Sequence, residues 1–267
     1  MKKLTKIIVC LALVAILATV GAFALTACNK KADNTLTVAT NAAFPPFEFK
    51  EGDAFKGIDM DIMAAFANDN GYTLKIEDME FDSVVASVGT TTKIGAAALT
   101  VNETRKQTVN FSTTYYNASQ MVIVKASDTT FNGLTTKAQV EAKLAQYTNG
   151  TKVGVQNGTT GLYYVEGDED WGFDGYTNLD ATGYTTVALA VQDLIAGNVA
   201  AVVVDEGPAK VLASSNTNIK VINIALTEEE YAFAVDKSDA ALLEKLNTWI
   251  AANQTKINAI ITEYFGA

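Results

Sequence analysis

Lys152-Val153-Gly154-Val155-Gln156-Asn157-Gly158-Thr159-Thr160-Gly161 is the stretch from which the fold can be read. Lys152 to Val155 reads as a short buried strand. The strand enters the loop Gln156-Asn157-Gly158-Thr159, and Thr159 to Val165 opens a helix. The same plan continues downstream. Tyr184 to Ala196 has helical spacing and ends at Gly197, and Ala200 to Val204 is an apolar strand. Strand, helix and strand in alternation predict an α/β fold with mostly parallel sheets.

Upstream the pattern recurs. Leu36 to Thr40 reads as a strand that enters the loop Asn41-Ala42-Ala43-Phe44. A helix over Ile58 to Asn70 follows, then a strand over Tyr72 to Ile76. A short helix over Asp82 to Val88, with Asp82 as its cap, leads to an alanine-rich strand over Lys93 to Leu99. Gln120 to Lys125 is another strand, and Thr136 with Gln139 has capping-box spacing at the start of a helix. Ile219 to Ile222 and Tyr231 to Val235 read as strands, and Ser238 to Phe265 as a helix broken near Asn253. The echo between the halves suggests two lobes of similar plan. Glu166 to Gly183, with six acids and Trp171, reads as a solvated surface insert; its spacing does not match an EF-hand calcium loop.

Composition narrows the chemistry. Of 267 residues 20 are basic and 30 acidic, giving a formal charge of −10. Such a chain lacks the clustered cations that nucleic acid requires. With no histidine, His-dependent triads and His-ligated zinc are excluded. Two cysteines, Cys10 and Cys28, cannot build a disulfide framework.

The N-terminus reads as an export signal. Lys2, Lys3 and Lys6 precede a charge-free apolar run from Ile7 to Leu25, and small residues follow. A spanning helix is the alternative. Leu25-Thr26-Ala27-Cys28 resembles the lipobox of bacterial lipoproteins. That resemblance implies a signal peptide over 1–27, lipidation of Cys28 and a tether over 28–34.

Ligands of open α/β sheets gather at the carboxyl ends of strands, and the residues there have a common theme. Asn41 and Phe44 follow the first strand. Ala98 and Thr100 end the alanine-rich segment, with Arg105 shortly after; Arg105 is the single arginine of the chain. Gln156, Thr159 and Thr160 follow one strand of the second half, and Asp205 follows another. A guanidinium suits a carboxylate bidentately, and a strand-end aspartate suits an ammonium. Phe44 and Phe81 could wall an apolar slot. Together these groups fit the zwitterion of an amino acid. Each also has an ordinary structural reading: a surface ion pair for Arg105, a helix cap for Asp205, core packing for the phenylalanines, and a plain first turn for the threonines.

Ordered motifs across 35–267 resemble the polar amino acid binding proteins of ABC importers, extracellular solute-binding proteins of family 3. They include Ala39-Thr40-Asn41-Ala42-Ala43-Phe44-Pro45-Pro46-Phe47-Glu48-Phe49, Gly57-Ile58-Asp59, and Leu99 to Arg105. Asn110-Phe111-Ser112, Val153 to Gly161 and Val202-Val203-Val204-Asp205 complete them. The resemblance implies a periplasmic binding protein-like type II fold, with two α/β lobes joined by a two-strand hinge. Residues 35–118 plus 229–267 would form one lobe, and 119–228, with the insert 166–183, the other. It implies that Arg105 clamps the ligand's carboxylate, and that Thr100 contacts the carboxylate by its amide and the amine by its hydroxyl. Ala98 would offer its carbonyl to the amine. Thr159 and Thr160 would line the carboxylate side, and Asp205 would pair with the ammonium. Phe44 and Phe81 would sandwich the ligand, and Asn41 and Gln156 would face its side chain. Many relatives, notably binders of basic amino acids, carry Asp in place of Asn41. The neutral pair Asn41 and Gln156 therefore points to an uncharged polar ligand such as glutamine or cystine.

The implied partners are a free amino acid and an ABC permease, with the lipid anchor in the membrane. The protein would act as a monomer on the outer face of the cytoplasmic membrane, without cofactor, metal or catalytic residues. The alternatives are a ligand sensor and a cyclohexadienyl-dehydratase-like enzyme on the same fold.

Overall fold

Strand β1, Thr35–Thr40, carries Leu36, Val38 and Ala39 among its threonines, and its last three residues are buried, as suits a strand covered on both faces. The structure, a computed structural model, describes residues 34–266. The expected signal segment 1–27, Cys28 and the tether up to residue 33 lie outside the described residues. After β1 the chain makes a small antiparallel sheet of β2 (Ala43–Phe44), β3 (Glu48–Glu51) and β4 (Ala54–Lys56). Helix α1 (Ile58–Asp69) buries Ile58, Ile62, Met63 and Phe66 against the sheet. Strand β5 (Thr73–Asp78), helix α2 (Phe81–Ser87), strand β6 (Ile94–Gly95), the single turn α3 (Glu103–Lys106) and strand β7 (Val109–Phe111) follow.

The chain then crosses to a second sheet through β8 (Tyr116–Ala118) and enters β9 (Gln120–Lys125). Helix α4 (Lys137–Leu144) starts with the expected capping box of Thr136 and Gln139. Next come β10 (Thr151–Gln156), α5 (Thr160–Glu166), β11 (Leu179–Tyr184), α6 (Val187–Ala196), β12 (Ala201–Asp205), α7 (Glu206–Ser215) and β13 (Ile219–Ile222). Strand β14 (Glu229–Tyr231) crosses back, antiparallel to β8, with Glu230 opposite Asn117. Strand β15 (Ala234–Asp236), α8 (Ala240–Ala252) and α9 (Gln254–Phe265) finish the fold, with the break at Asn253.

The echo between the halves is explicit in the two sheets. The first has the order β5-β1-β6-β15-β7 and the second β11-β10-β12-β9-β13. In each, a parallel pair (β1 with β6, β10 with β12) adjoins an antiparallel strand delivered by the crossing, β15 or β9. Both sheets are thus mixed, each with one strand borrowed across the β8–β14 ribbon. Two lobes with two crossing strands follow directly.

Five sequence expectations need correction. The sheets are mixed, not mostly parallel, because the crossings bring antiparallel strands into each. Tyr231 to Val235 is not one strand: β14 ends at Tyr231 and β15 begins at Ala234. Lys93 to Leu99 yields only a two-residue strand, because Ala98 turns into the left-handed region (φ 48°) and takes the chain out of the sheet. Asp82 does not cap α2: the cap position is Glu80, without a side-chain bond. The segment 166–183 is not wholly a surface insert. Its end is β11, paired with β10 over six positions, and Phe173 and Tyr176 pack on the core of the second lobe. No helix among the described residues is long and apolar enough to cross a membrane.

Candidate functional site

Helix α3 is one turn long, and its start is fixed by the Asn102 side chain, which accepts from the Arg105 amide at 2.7 Å. This points the Arg105 side chain inward, where it is buried. Its guanidinium donates to the Thr100 carbonyl at 2.8 Å and, across the cleft, to the Gly158 carbonyl at 3.1 Å. Gly158 presents that carbonyl from a turn with φ of 71°, a conformation that glycine adopts without cost. Two aromatic rings lie against the guanidinium, Phe81 at 5.3 Å and Trp171 at 5.0 Å. Burial lowers its pKa to about 10, while Glu229 and Asp205 oppose the fall. Arg105 is therefore a cation at neutral pH.

The opposite pole is acidic. Asp205 ends β12 and occupies the cap position of α7, yet its side chain makes no capping bond. It accepts instead from the Tyr231 hydroxyl. Burial and then the nearby Glu229 push its pKa up to about 7. Glu229, on the crossing strand β14, gathers four donors. Its Oε2 accepts from Thr100 and Thr160, each at 2.7 Å, and its Oε1 from Gln120 at 3.0 Å and Thr227 at 2.6 Å. The Thr160 and Thr100 hydroxyl oxygens lie 3.2 Å apart, so one carboxylate oxygen and two hydroxyls join the lobes. Gly161, one residue on, brings α5 so close to β12 that a Cβ there would lie 2.9 Å from the Val203 carbonyl.

The backbone between the poles is set by Asp59, fully buried at the start of α1. It accepts from the Ala98 amide at 2.9 Å and from the Tyr115 hydroxyl. That anchorage holds Ala98 in its left-handed conformation, an arrangement that costs an alanine about 1–3 kcal/mol and that recurs at functional sites. Burial raises the Asp59 carboxyl to about 7. Glu48 is fully buried as well. Neither of its carboxylate oxygens meets a hydrogen-bond partner, and burial, then Asp59 and Asp205, raise its pKa well above the usual carboxylate range.

Phe44, Phe81, Ala98, Thr100, Arg105, Thr159, Thr160 and Asp205 line one enclosed cavity of about 10 Å³, which is room for about one water. Eight of the ten residues singled out in the sequence thus meet at one place, and both lobes contribute. Asn41 and Gln156 are not in that lining; they are bonded to each other across the lobes. The Gln156 amide donates to Asn41 Oδ1 at 3.0 Å and to the Thr185 carbonyl at 3.1 Å, while Asn41 donates to the Met79 carbonyl at 2.8 Å. Gln156 Oε1 is buried without a partner. Sequence reasoning missed Glu229, Tyr231, Asp59 and Trp171 as neighbours of the site. Glu229 and Tyr231 arrive on the crossing strand β14, far along the chain from the strand ends that marked the other residues.

Residues 36–267 match the family described as bacterial extracellular solute-binding proteins, family 3. The chain belongs to that family. Among similar proteins, the arginine-binding extracellular protein ArtP of Bacillus subtilis (strain 168) is 27% identical over 84% of this chain and 85% of its own length. The L-cystine-binding protein TcyJ of Escherichia coli (strain K12) is 26% identical over 89% of this chain and 85% of its own. Among solved structures, the P235GK mutant of ArgBP from T. maritima superposes with a TM-score of 0.74 at 30% identity, covering 88% of this chain and 96% of that one. The paired lobes and β8–β14 crossing of this family 3 chain are those of type II amino acid-binding proteins.

Proposed function

We propose that this protein is the substrate-binding component of an ABC importer and captures a free amino acid between its two lobes. The observation that carries the reading is the pairing of poles within one cavity. Arg105 stands at one end, and Asp205 with Glu229 at the other. A zwitterion placed between them satisfies both charges, whereas an isolated buried charge costs several kcal/mol. Thr100 and Thr160 supply hydroxyls between the poles, and Phe44 and Phe81 supply apolar walls. The cavity is smaller than any amino acid, so the lobes part at the β8–β14 ribbon to admit the ligand and close on it. Ligand contacts made with both lobes favour the closed form.

The ligand's side chain would face Asn41 and Gln156. Both amides are neutral, and no carboxylate bonds to either among the described residues. Gln156 Oε1 is an open acceptor. An uncharged polar side chain with N–H donors, such as glutamine, satisfies that acceptor without needing a counter-charge; cystine fits on the same charge argument. The protein would be exported, anchored through a lipid on Cys28 and monomeric, handing its ligand to a membrane permease. It would bind its ligand without chemical change: the buried carboxylates hold charge and backbone in place, with Asp205 bonded to Tyr231 and Asp59 to Ala98 and Tyr115. The test is a thermal-shift screen of the twenty amino acids plus cystine, followed by calorimetry. Saturation with one polar amino acid at about 100 times Kd raises stability by about 2.7 kcal/mol. A flat response across the panel would refute the reading.

A further inference from the structure

We infer that Trp171 is a positioning residue, an aromatic cover contributed by the second lobe that holds the Arg105 guanidinium of the first lobe when the cleft is closed. The inference rests on the amino acid-binding role proposed above and adds a residue to it. Trp171 lies in the acidic loop after α5, where an exposed Trp would have no structural purpose. The loop is built to place it. Asp168 and Phe173 pair as an isolated bridge, the Asp168 side chain accepts from the Trp171 amide at 3.1 Å, and Phe173 and Tyr176 anchor the loop to the core. The Tyr164 hydroxyl, bonded to Glu141 at 2.8 Å, braces the same loop through Tyr176 at 3.2 Å. Of the six acids between 166 and 183, all but Asp168 are exposed. Trp171 is half-buried, packed on Tyr163 with ring centroids 4.5 Å apart and with its own ring 5.0 Å from the Arg105 guanidinium carbon.

Phe81 contacts the same guanidinium from the first lobe. The cation therefore meets one ring from each lobe, and the contact with Trp171 exists only while the lobes are together. An aromatic ring over a desolvated cation contributes attraction that an aliphatic side chain of similar bulk cannot. Trp171 should thus hold Arg105 in place for the carboxylate and slow reopening.

The test uses full-length wild type, Trp171→Phe and Trp171→Leu. Affinity is measured by calorimetry and dissociation by stopped flow, with whichever of L-glutamine, L-cystine, L-histidine and L-arginine the wild type binds most tightly. Trp171→Leu should weaken binding about 2- to 30-fold, mainly through faster dissociation, while Trp171→Phe retains most of the affinity. The thermal midpoints of the two unliganded variants should agree, since the ring acts on the closed cleft. Wild-type affinity in Trp171→Leu, or equal losses in both variants, would overturn the inference and leave the binding role standing. A wild type that binds no amino acid would overturn both.

Discussion

Lowering the pH from 8 to 6 should weaken ligand binding by up to about ten-fold if, as proposed, Asp205 pairs with the ligand's ammonium, because its carboxyl titrates in that range. The Asp205 carboxyl is held near 7 by burial and by Glu229. With the cleft closed, a carboxyl held at about 7 loses most of its charge as the pH falls from 8 to 6. An ammonium beside it favours the ionised form, so binding must displace the proton. Binding near pH 7 should therefore release protons. Calorimetry in two buffers of different ionisation enthalpy counts them directly. Asp59 also lies near 7, but its oxygens are committed to the Ala98 amide and Tyr115. Asp205→Asn separates the two. It should bind at least about 100-fold more weakly, as expected when one member of a buried charge pair is removed, and should lose most of the pH dependence. Unchanged affinity from pH 6 to 8 with no proton release would refute the assignment of Asp205 to the ammonium.

Arg105→Ala should abolish binding measurable by calorimetry, since it leaves the ligand carboxylate buried without a cation; near-native affinity would remove Arg105 from the site. Asn41→Asp places a carboxylate beside Gln156 and should move the ligand ranking toward arginine and lysine, read in a competition assay with labelled ligand. Glu48→Gln should raise the thermal midpoint of the unliganded protein more at pH 8 than at pH 5. The native carboxyl has a raised pKa, so the stability it contributes is present at low pH and fades as pH rises. An equal shift at both pH values would mean that Glu48 does not titrate on unfolding.

How much of this was legible in the sequence follows from which links are local. Arg105, Asp205, Thr159 and Thr160 could be placed because each follows a strand or opens a helix, and strand ends converge in α/β folds. The helices over 137–144 and 240–252 were legible from capping and periodicity. Strand β11 was not, because Asp180, Thr182 and Gly183 break its apolar pattern on an exposed edge. The alanines 96–98 looked like strand because nothing in an alanine run reveals a left-handed turn imposed by Asp59, some forty residues earlier. Glu229 and Trp171 reach the site from distant segments, one by the crossing ribbon and the other by a loop whose acids disguise its aromatic ring. Tertiary placement decides both, and no local pattern encodes it.

The most direct test of the central claim is a crystal structure of the protein grown with the amino acid that stabilises it most. The account predicts the ligand in the cavity between the lobes, its carboxylate oxygens about 2.7–2.9 Å from Arg105 nitrogens and its ammonium against Asp205. A ligand bound elsewhere, or with its poles reversed, would contradict it.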